Sequence, residues 1–160
     1  MQMKEITIRS GRVKDLPQVL ELIKELAAYV GLSDQVENSV AQMEVDGFGD
    51  NSVYELLVAE RDGAILGTSI YYYRYSTWKG KRLYLEDLVV KESERGKGIG
   101  KLLFEATMKK TLSEKCSGMM WQVLDTNKTA MDFYKKYNAK FDRAFINYGL
   151  ESESIREILK

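Results

Sequence analysis

The first part of the chain has a pattern of apolar and polar residues that predicts one strand and two helices. Residues 4–9 alternate, with Ile6 and Ile8 on one side, which is typical of a short β-strand. Residues 15–30 carry apolar side chains at helical spacing and end at Gly31, so they predict a helix. A second helix is predicted over residues 33–45.

Turn residues divide the middle of the chain into strands. Residues 46–51, Asp-Gly-Phe-Gly-Asp-Asn, predict a loop, and Asp62-Gly63 is typical of a hairpin turn. Three strands are predicted, over residues 55–60, 64–75 and 82–90, with residues 76–80 as the loop between the last two. Strands that follow one another through short turns predict an antiparallel meander.

The second half continues with alternating helices and strands. A helix that begins with Ile99, Leu102 and Leu103 is predicted directly after a glycine-rich loop. It is followed by a buried strand, a helix, a last strand and a terminal helix, over residues 119–124, 127–137, 141–149 and 152–159. Before the terminal helix, the order is β-α-α-β-β-β-α-β-α-β. It predicts a mixed α/β (α+β) sheet in a single domain, residues 1–160, rather than a doubly wound parallel sheet.

Composition narrows the class of protein. The chain has 160 residues with 44% hydrophobic and 30% charged residues, as expected for one globular domain. No apolar stretch is long enough to span a membrane, and the N-terminus lacks the apolar core of a signal peptide. The 24 basic and 24 acidic residues balance, which argues against a nucleic-acid-binding protein. A single cysteine, Cys116, allows no intrachain disulfide and favours a cytoplasmic location.

The absence of histidine restricts the chemistry that the chain can perform. With no histidine, the Ser-His-Asp triad and zinc sites with histidine ligands are excluded, and we expect no metal. Acid–base chemistry must therefore come from Asp, Glu, Tyr or Lys side chains, from water or from the substrate.

The glycine-rich loop Arg95-Gly96-Lys97-Gly98-Ile99-Gly100 is the main candidate for a ligand site. It lies between a predicted strand and a predicted helix, where free N–H groups and the helix dipole bind anions. The spacing fits neither the Rossmann pattern G-x-G-x-x-G nor the P-loop pattern. From the loop alone, a mobile turn with solvated charges remains the alternative.

The loop resembles a signature of the GNAT acetyltransferases. Arg95-x-x-Gly98-x-Gly100 matches the pattern R/Q-x-x-G-x-G/A, at the position in the order of elements where that fold has it. The resemblance implies a central, mostly antiparallel, twisted sheet of six to seven strands with about four flanking helices. It also implies direct acetyl transfer from acetyl-CoA to an amine, without an acyl-enzyme.

Several short segments resemble one subgroup of that superfamily, the diamine (spermidine/spermine) and thialysine acetyltransferases. They are Asp46-Gly47-Phe48-Gly49, Tyr71-Tyr72-Tyr73, Trp78-Lys79-Gly80-Lys81, Tyr84-Leu85-Glu86-Asp87 and Asp132-Phe133-Tyr134-Lys135. This subgroup resemblance implies a small-molecule amine as substrate and a homodimer. The alternative for the tyrosines at positions 71, 72, 73 and 75 is strand packing or a dimer surface.

The resemblance implies a set of residues that bind acetyl-CoA. Main-chain groups from Arg95 to Lys101 would bind the pyrophosphate, and those of the strand before them would bind pantetheine. The complete set is Leu88, Val89, Val90, Arg95, Gly96, Lys97, Gly98, Ile99, Gly100, Lys101, Asn127 and Tyr134. Asn127 is also expected to cap the helix that follows it.

Two residues are candidates for the acid–base chemistry. Glu86 is the candidate proton acceptor, directly or through water, and the resemblance implies a β-bulge in its strand. The alternative for Glu86 and Asp87 is a pair of solvated strand charges. Tyr134 is the candidate proton donor to the leaving thiolate, and the alternative for it is helix packing.

The predicted acceptor site comprises Tyr29, Ser76, Thr77, Trp78, Glu86 and Asp87. Diamine-specific relatives tend to have an acidic residue at the position of Ser76, whereas the hydroxyls of Ser76 and Thr77 suit the head group of an amino acid such as thialysine. The alternative for these two residues is turn formation. Three other functions stay open at this point: a diamine acetyltransferase, a protein N-terminal or lysine acetyltransferase, and a non-catalytic module that senses acyl-CoA or an amine.

Overall fold

The computed structural model describes residues 5–160 and divides the chain into two compact units. The first ends at Gln122 and contains the sheet, and the second runs from Val123 to Lys160 and contains two short helices.

Five strands form one sheet within the described residues, in the order β1-β2-β3-β4-β5. Their bounds are Thr7–Ser10 (β1), Glu55–Arg61 (β2), Ala64–Ser76 (β3), Gly80–Val90 (β4) and Met119–Trp121 (β5). The first four strands pair antiparallel as the predicted meander, and β5 pairs parallel with β4. This is the mixed, mostly antiparallel sheet that the order of elements predicts.

The described residues also form five α-helices. Their bounds are Leu16–Tyr29 (α1), Val40–Phe48 (α2), Ile99–Ser113 (α3), Lys128–Lys135 (α4) and Ser152–Ile158 (α5). Pro17 lies in the first turn of α1, where its missing N–H removes no helical hydrogen bond. The Oγ of Ser39 accepts a hydrogen bond from the N–H of Gln42 at 3.1 Å and caps α2.

The sheet buries apolar side chains on both faces. One face, which we call the α1 face, packs against α1 and α2 through Leu16, Val19, Leu20, Leu22, Met43, Leu56, Val58, Ile65, Ile70 and Val89. The opposite face, the α3 face, packs Ala59 and Leu66 against Ile99 and Leu103. Because successive strand residues alternate between faces, a residue's register assigns its face.

Gly67 lets α3 approach the sheet closely. A Cβ atom at this position would lie 2.8 Å from the carbonyl oxygen of Val89 and 3.0 Å from Cδ1 of Leu103. Any side chain there would push α3 away from β3 and β4. The start of α3, with the glycine-rich loop, is therefore fixed against the end of β4.

The predicted strand over residues 141–149 is wrong, and the described residues form five strands instead of six to seven. Apolar alternation is a local signal, whereas a strand also needs a neighbour for its N–H and C=O groups. Residues 141–150 pair with no strand in the structure, and their large side chains, such as Phe145 and Tyr148, are exposed.

The helix predicted over residues 33–45 lies further along the chain. Residues Ser33–Gln35 form a 3₁₀ turn, and α2 begins only after its cap at Ser39. As a result, α2 includes residues 46–48, the first part of the predicted loop. The last strand of the sheet is also shorter than predicted, since β5 ends at Trp121. It was expected to be buried, and its three residues are half-buried.

The described residues contain no membrane-spanning helix and no metal-binding group. None of the helices in residues 5–160 combines the length and apolar character needed to cross a membrane. The same part of the chain holds no group of three or more His, Cys, Asp or Glu side chains that could bind a metal ion.

Candidate active site

A β-bulge interrupts β4 at Glu86. Ile70 of β3 is the register partner of Asp87, and the next residue, Tyr71, is the partner of Leu85. Glu86 is therefore an extra residue with no partner on β3. The structure thus contains the bulge that the resemblance implies for this strand.

The bulge gives two neighbouring carboxyl groups different environments. Glu86 is exposed, whereas Asp87 is half-buried. Asp87 lies two residues before Val89, which belongs to the core of the α1 face, so both side chains point to that face. Burial, and then the negative charge of Glu86, raises the pKa of Asp87 to about 6. Asp87 is therefore a carboxyl group that changes its charge close to neutral pH.

Two tyrosines lie next to the carboxyl groups on the α1 face, further along the same two strands. Tyr72 and Tyr84 are register partners, and their ring centroids lie 5.1 Å apart. Burial raises the pKa of both phenols, and the charge of Glu86 raises both further. Glu86 is consequently close to both rings, and the structure brings a carboxylate pair and an aromatic pair together on one face.

Beyond the bulge, β4 has a free edge. The parallel pairing of β4 with β5 covers only Leu83–Leu85 and Met119–Trp121. On the side toward β5, Leu88, Val89 and Val90 have no strand partner among residues 5–160. Main-chain N–H and C=O groups that no strand pairs are available to an extended ligand. This is the geometry expected of a strand that binds pantetheine through its backbone.

The glycine-rich loop leads from the end of β4 into α3. Gly96 and Gly98 have φ angles of +76° and +85°, and no atom lies within 4 Å of the position that a Cβ would take at either. Gly98 precedes the helix, and the first intrahelical hydrogen bond is donated by Leu102 to its carbonyl oxygen at 3.1 Å. The N–H groups at the start of α3 therefore have no helical acceptor, an arrangement that binds anions.

The charged side chains of the loop bind the protein itself. Nε of Arg95 donates to the carbonyl oxygen of Val90 at 3.2 Å, and its guanidinium lies 4.6 Å from the ring centroid of Tyr29. Lys97 forms an ion pair with Glu94 at 3.2 Å. These contacts fix the loop and leave anion binding to its main chain. They also place Tyr29, predicted as an acceptor residue, beside the glycine-rich loop.

The loop between β3 and β4 lies away from the carboxylate pair. The Oγ of Ser76 accepts hydrogen bonds from the N–H groups of Trp78 and Lys79, at 3.3 and 3.2 Å, so it forms the turn. Thr77 and Trp78 are exposed. Ser76 is six residues beyond Ile70 along β3, roughly 20 Å at the usual rise of a strand. The structure therefore does not bring this loop to Glu86 within the chain.

The second compact unit carries the two remaining candidates on α4. The Oδ1 of Asn127 accepts a hydrogen bond from the N–H of Ala130 at 3.1 Å, which confirms the predicted helix cap. Tyr134 is half-buried, and its ring meets that of Phe133 edge to face with centroids 5.2 Å apart. The functional roles of Asn127 and Tyr134 stay predictions.

Comparison with known families decides the classification. The model of the acetyltransferase (GNAT) family matches residues 17–139, which include the whole glycine-rich loop and the bulged strand. The chain belongs to the GNAT acetyltransferase family. It is an acetyltransferase enzyme that acts on amines, and the predicted family is confirmed.

Curated relatives of this GNAT enzyme include thialysine acetyltransferases. The thialysine N-epsilon-acetyltransferase of Bos taurus is 38% identical over 96% of each chain, and that of Sus scrofa is 36% identical over 98% of each chain. The spermidine/spermine N(1)-acetyltransferase-like protein 1 of Homo sapiens is 34% identical over 82% of this chain and 20% of its own length.

Solved structures share the GNAT fold. An integron cassette protein from V. cholerae superposes with a TM-score of 0.79 and 24% identity over 99% of each chain. An aminoglycoside N-acetyltransferase in complex with CoA superposes with a TM-score of 0.74 and 18% identity, covering 93% of this chain and 97% of the other. At these identities the likeness establishes the fold alone.

Sequence reasoning about this GNAT chain missed the aromatic pair. Tyr72 lies in a run of tyrosines that is typical of strand packing, and its face becomes evident only from the register with β4. The signal that could have found the pair is the alternation of side chains between the two faces of the sheet, counted along each strand. With a bulge at Glu86, both Tyr72 and Tyr84 fall on the face of Asp87.

Proposed function

We propose that this protein transfers the acetyl group of acetyl-CoA to the side-chain amine of a lysine-like amino acid such as thialysine. The observation that carries the proposal is the bulge in β4, which presents Glu86 and Asp87 on the strand that leads into the anion-binding loop. The thialysine acetyltransferases among its relatives support the choice of acceptor.

The residues of the first unit fit acetyl-CoA. The N–H groups at the start of α3 and the open space over Gly96 and Gly98 suit the two phosphates of the pyrophosphate. The free edge of Leu88 to Val90 suits the two amides of pantetheine, which can add to the sheet like a short strand. Acetyl-CoA supplies a reactive thioester, and these main-chain groups would hold it in place.

The carboxylate pair addresses the main obstacle to amine acetylation. An alkyl ammonium has a pKa near 10.4, so only about one molecule in a thousand is neutral at pH 7.4, a cost of roughly 4 kcal/mol. Two carboxylates attract the ammonium, and in our proposal Glu86 accepts its proton directly or through water while Asp87 binds the amine. Because the pKa of Asp87 is about 6, it is negatively charged at neutral pH.

The transfer itself also needs a proton for the leaving thiolate. The neutral amine nitrogen bonds to the acetyl carbon, the carbon–sulfur bond breaks, and the sulfur leaves as a thiolate. The nitrogen, now part of an amide, loses its second proton to water. We propose that the hydroxyl of Tyr134 donates its proton to that thiolate. The phenol is then restored from solvent or from the proton that the carboxylates accepted.

Tyr134→Phe is expected to lower turnover at least tenfold with little change in acetyl-CoA affinity. The ring and its edge-to-face contact with Phe133 remain, and only the hydroxyl is lost. Stopped assays of thiol release would give kcat, and calorimetry would give the affinity. The matched control is Tyr148→Phe, because Tyr148 is 95% exposed and the same hydroxyl is removed. A Tyr134→Phe enzyme with full turnover at every pH would contradict the role.

An acceptor panel tests the function. We expect kcat/KM to be higher for thialysine than for lysine, since the sulfur of thialysine lowers the pKa of its amine, and higher for both than for spermidine. The measurement is thiol release from acetyl-CoA under identical conditions. A kcat/KM for spermidine that is tenfold higher than that for thialysine, about 1.4 kcal/mol at the transition state, would favour a diamine acetyltransferase. Acetyl-CoA binding without amine-dependent thiol release would favour a sensing module.

One relative keeps the diamine alternative in view. The 34% identity to the human spermidine/spermine acetyltransferase-like protein covers most of this chain, and the acidic pair at Glu86 and Asp87 would attract polycations. The homodimer and the cytoplasmic location implied earlier stay predictions. The mass of the protein in solution would test the first of these.

A further inference from the structure

Two arginines continue the row of residues that begins with the carboxylate pair. Arg74 of β3 and Arg82 of β4 are register partners, two residues beyond the partners Tyr72 and Tyr84. By the alternation of strands, all four side chains belong to the α1 face. We call this set the acceptor row: Asp87 with Glu86, then Tyr72 with Tyr84, then Arg74 with Arg82.

Neither guanidinium is neutralised by the protein. No carboxylate within residues 5–160 forms an ion pair with Arg74 or Arg82. Nη1 of Arg74 donates only to Sδ of Met120 at 3.3 Å, and a thioether is a weak acceptor. Nη2 of Arg82 donates to the carbonyl oxygen of Met119 at 3.4 Å, and its buried Nε has no hydrogen-bond partner in the described part of the chain. Charged donors in this state favour binding of an anion.

Opposite charges act on the aromatic pair from its two ends. Burial raises the pKa of Tyr72 and Tyr84, the carboxylate of Glu86 raises both further, and Arg74 acts in the opposite direction on both. The phenols therefore lie within range of a negative group on one side and a positive group on the other. A ligand that lies along the row therefore meets a negatively charged carboxylate at one end and a positively charged guanidinium at the other.

We infer that Arg74, assisted by Arg82, binds the α-carboxylate of an amino-acid acceptor whose distal amine lies at Glu86 and Asp87 and whose chain packs on Tyr72 and Tyr84. The inference deepens the proposed function and rests on it. Arg74 is four residues from Ile70, the register partner of Asp87, which corresponds to about 13 Å along the strand. The flexible arginine side chain and an extended lysine-like chain together cover this distance.

A guanidinium at this position distinguishes amino acids from polyamines. A carboxylate accepts two parallel hydrogen bonds from one guanidinium, a geometry that adds specificity as well as energy. A polyamine would bring a second ammonium toward Arg74 and would be repelled. The acceptor row thus gives a source of amino-acid selectivity other than the hydroxyls of Ser76 and Thr77.

The test compares acceptors with and without the carboxylate. Arg74→Gln is suitable because Arg74 is exposed and forms no ion pair within the described part of the chain. We expect the KM for thialysine to rise at least tenfold with kcat nearly unchanged, because the carboxylate is remote from the reacting atoms. For bis(2-aminoethyl) sulfide, which is thialysine without its carboxylate, KM should stay the same or fall. Arg74→Lys should restore part of the thialysine KM.

The control is Lys109→Gln, which makes the same change of net charge on an exposed residue of α3. It should leave both KM values unchanged. Equal effects of Arg74→Gln on the amino acid and on the diamine, or none on either, would overturn the inference. If the unsubstituted enzyme acetylates neither compound, the proposed function itself fails, and that result is read from the wild type before any variant.

Discussion

Gly100→Glu is expected to lower the affinity for acetyl-CoA at least a hundredfold while the protein remains folded. Gly100 is the second residue of α3, and a Cβ there would meet only Cγ2 of Val90, at an ordinary 3.7 Å. The new carboxylate would lie among N–H groups that we propose bind the pyrophosphate, so like charges would repel. Calorimetric titration with acetyl-CoA measures the loss.

The choice of glycine and the matched control make this test specific. Replacing a glycine inside a helix adds roughly 0.5–1 kcal/mol of stability, so the melting temperature of the Gly100 variants should not fall. Gly100→Gln has nearly the same shape without the charge and should lose clearly less affinity. Gly98→Glu is a poorer test, because its φ of +85° strains any side chain. A folded Gly100→Glu protein with wild-type affinity would remove the loop from the cofactor site.

Asp87→Asn is expected to make the protein more stable at neutral pH and a poorer enzyme. The folded pKa of Asp87, about 6, is raised above the value near 3.9 in the unfolded chain. Its contribution to stability is therefore complete below pH 4 and is lost as the pH rises through 6. Asparagine has no such loss, so the variant should gain up to about 3 kcal/mol above pH 7 and little at pH 4.

The measurement is the free energy of unfolding in urea between pH 4 and pH 8, together with kcat/KM. We expect kcat/KM for the amine to fall at least tenfold at pH 7.5, because the amine loses a charged partner. Glu86→Gln is the matched comparison. Glu86 is exposed, so its loss should bring no comparable gain in stability. Its turnover defect should shrink at high pH, where more of the amine is already neutral.

The two variants separate the roles of neighbouring residues. If Asp87→Asn leaves the pH dependence of stability unchanged, the side chain is more hydrated than the structure indicates. If Glu86→Gln keeps full turnover at every pH, the proton acceptor is another group. Both readouts are needed, because the charge of Glu86 contributes to the raised pKa of Asp87.

Local patterns predicted much of the fold because most of the sheet is a meander. The hairpin turn at Asp62-Gly63 and the apolar segments on either side of it are short-range signals, and the structure has the elements that they predict. Residues 141–149 also contain several apolar residues, but they form no strand. Strand formation there depends on a partner elsewhere in space, which no local pattern contains.

The site was predictable to the extent that it depends on the family signature. The glycine-rich loop and the bulge followed from resemblance to known acetyltransferases, and the structure contains both. The difference between Glu86 and Asp87 did not follow, since two adjacent acids look equivalent in the sequence. Their burial depends on which of them occupies the bulge, and this is set by the register against β3.

Glu86 is an insertion in an otherwise regular strand. Leu85 and Asp87 pair with the consecutive residues Tyr71 and Ile70, so a chain one residue shorter would pass through this point with an unbroken ladder and every other side chain on its present face. The sheet would gain hydrogen bonds and lose nothing in its core. In the architecture of the strand, Glu86 is therefore dispensable, and the proton transfer that we propose for it would offset its cost in pairing.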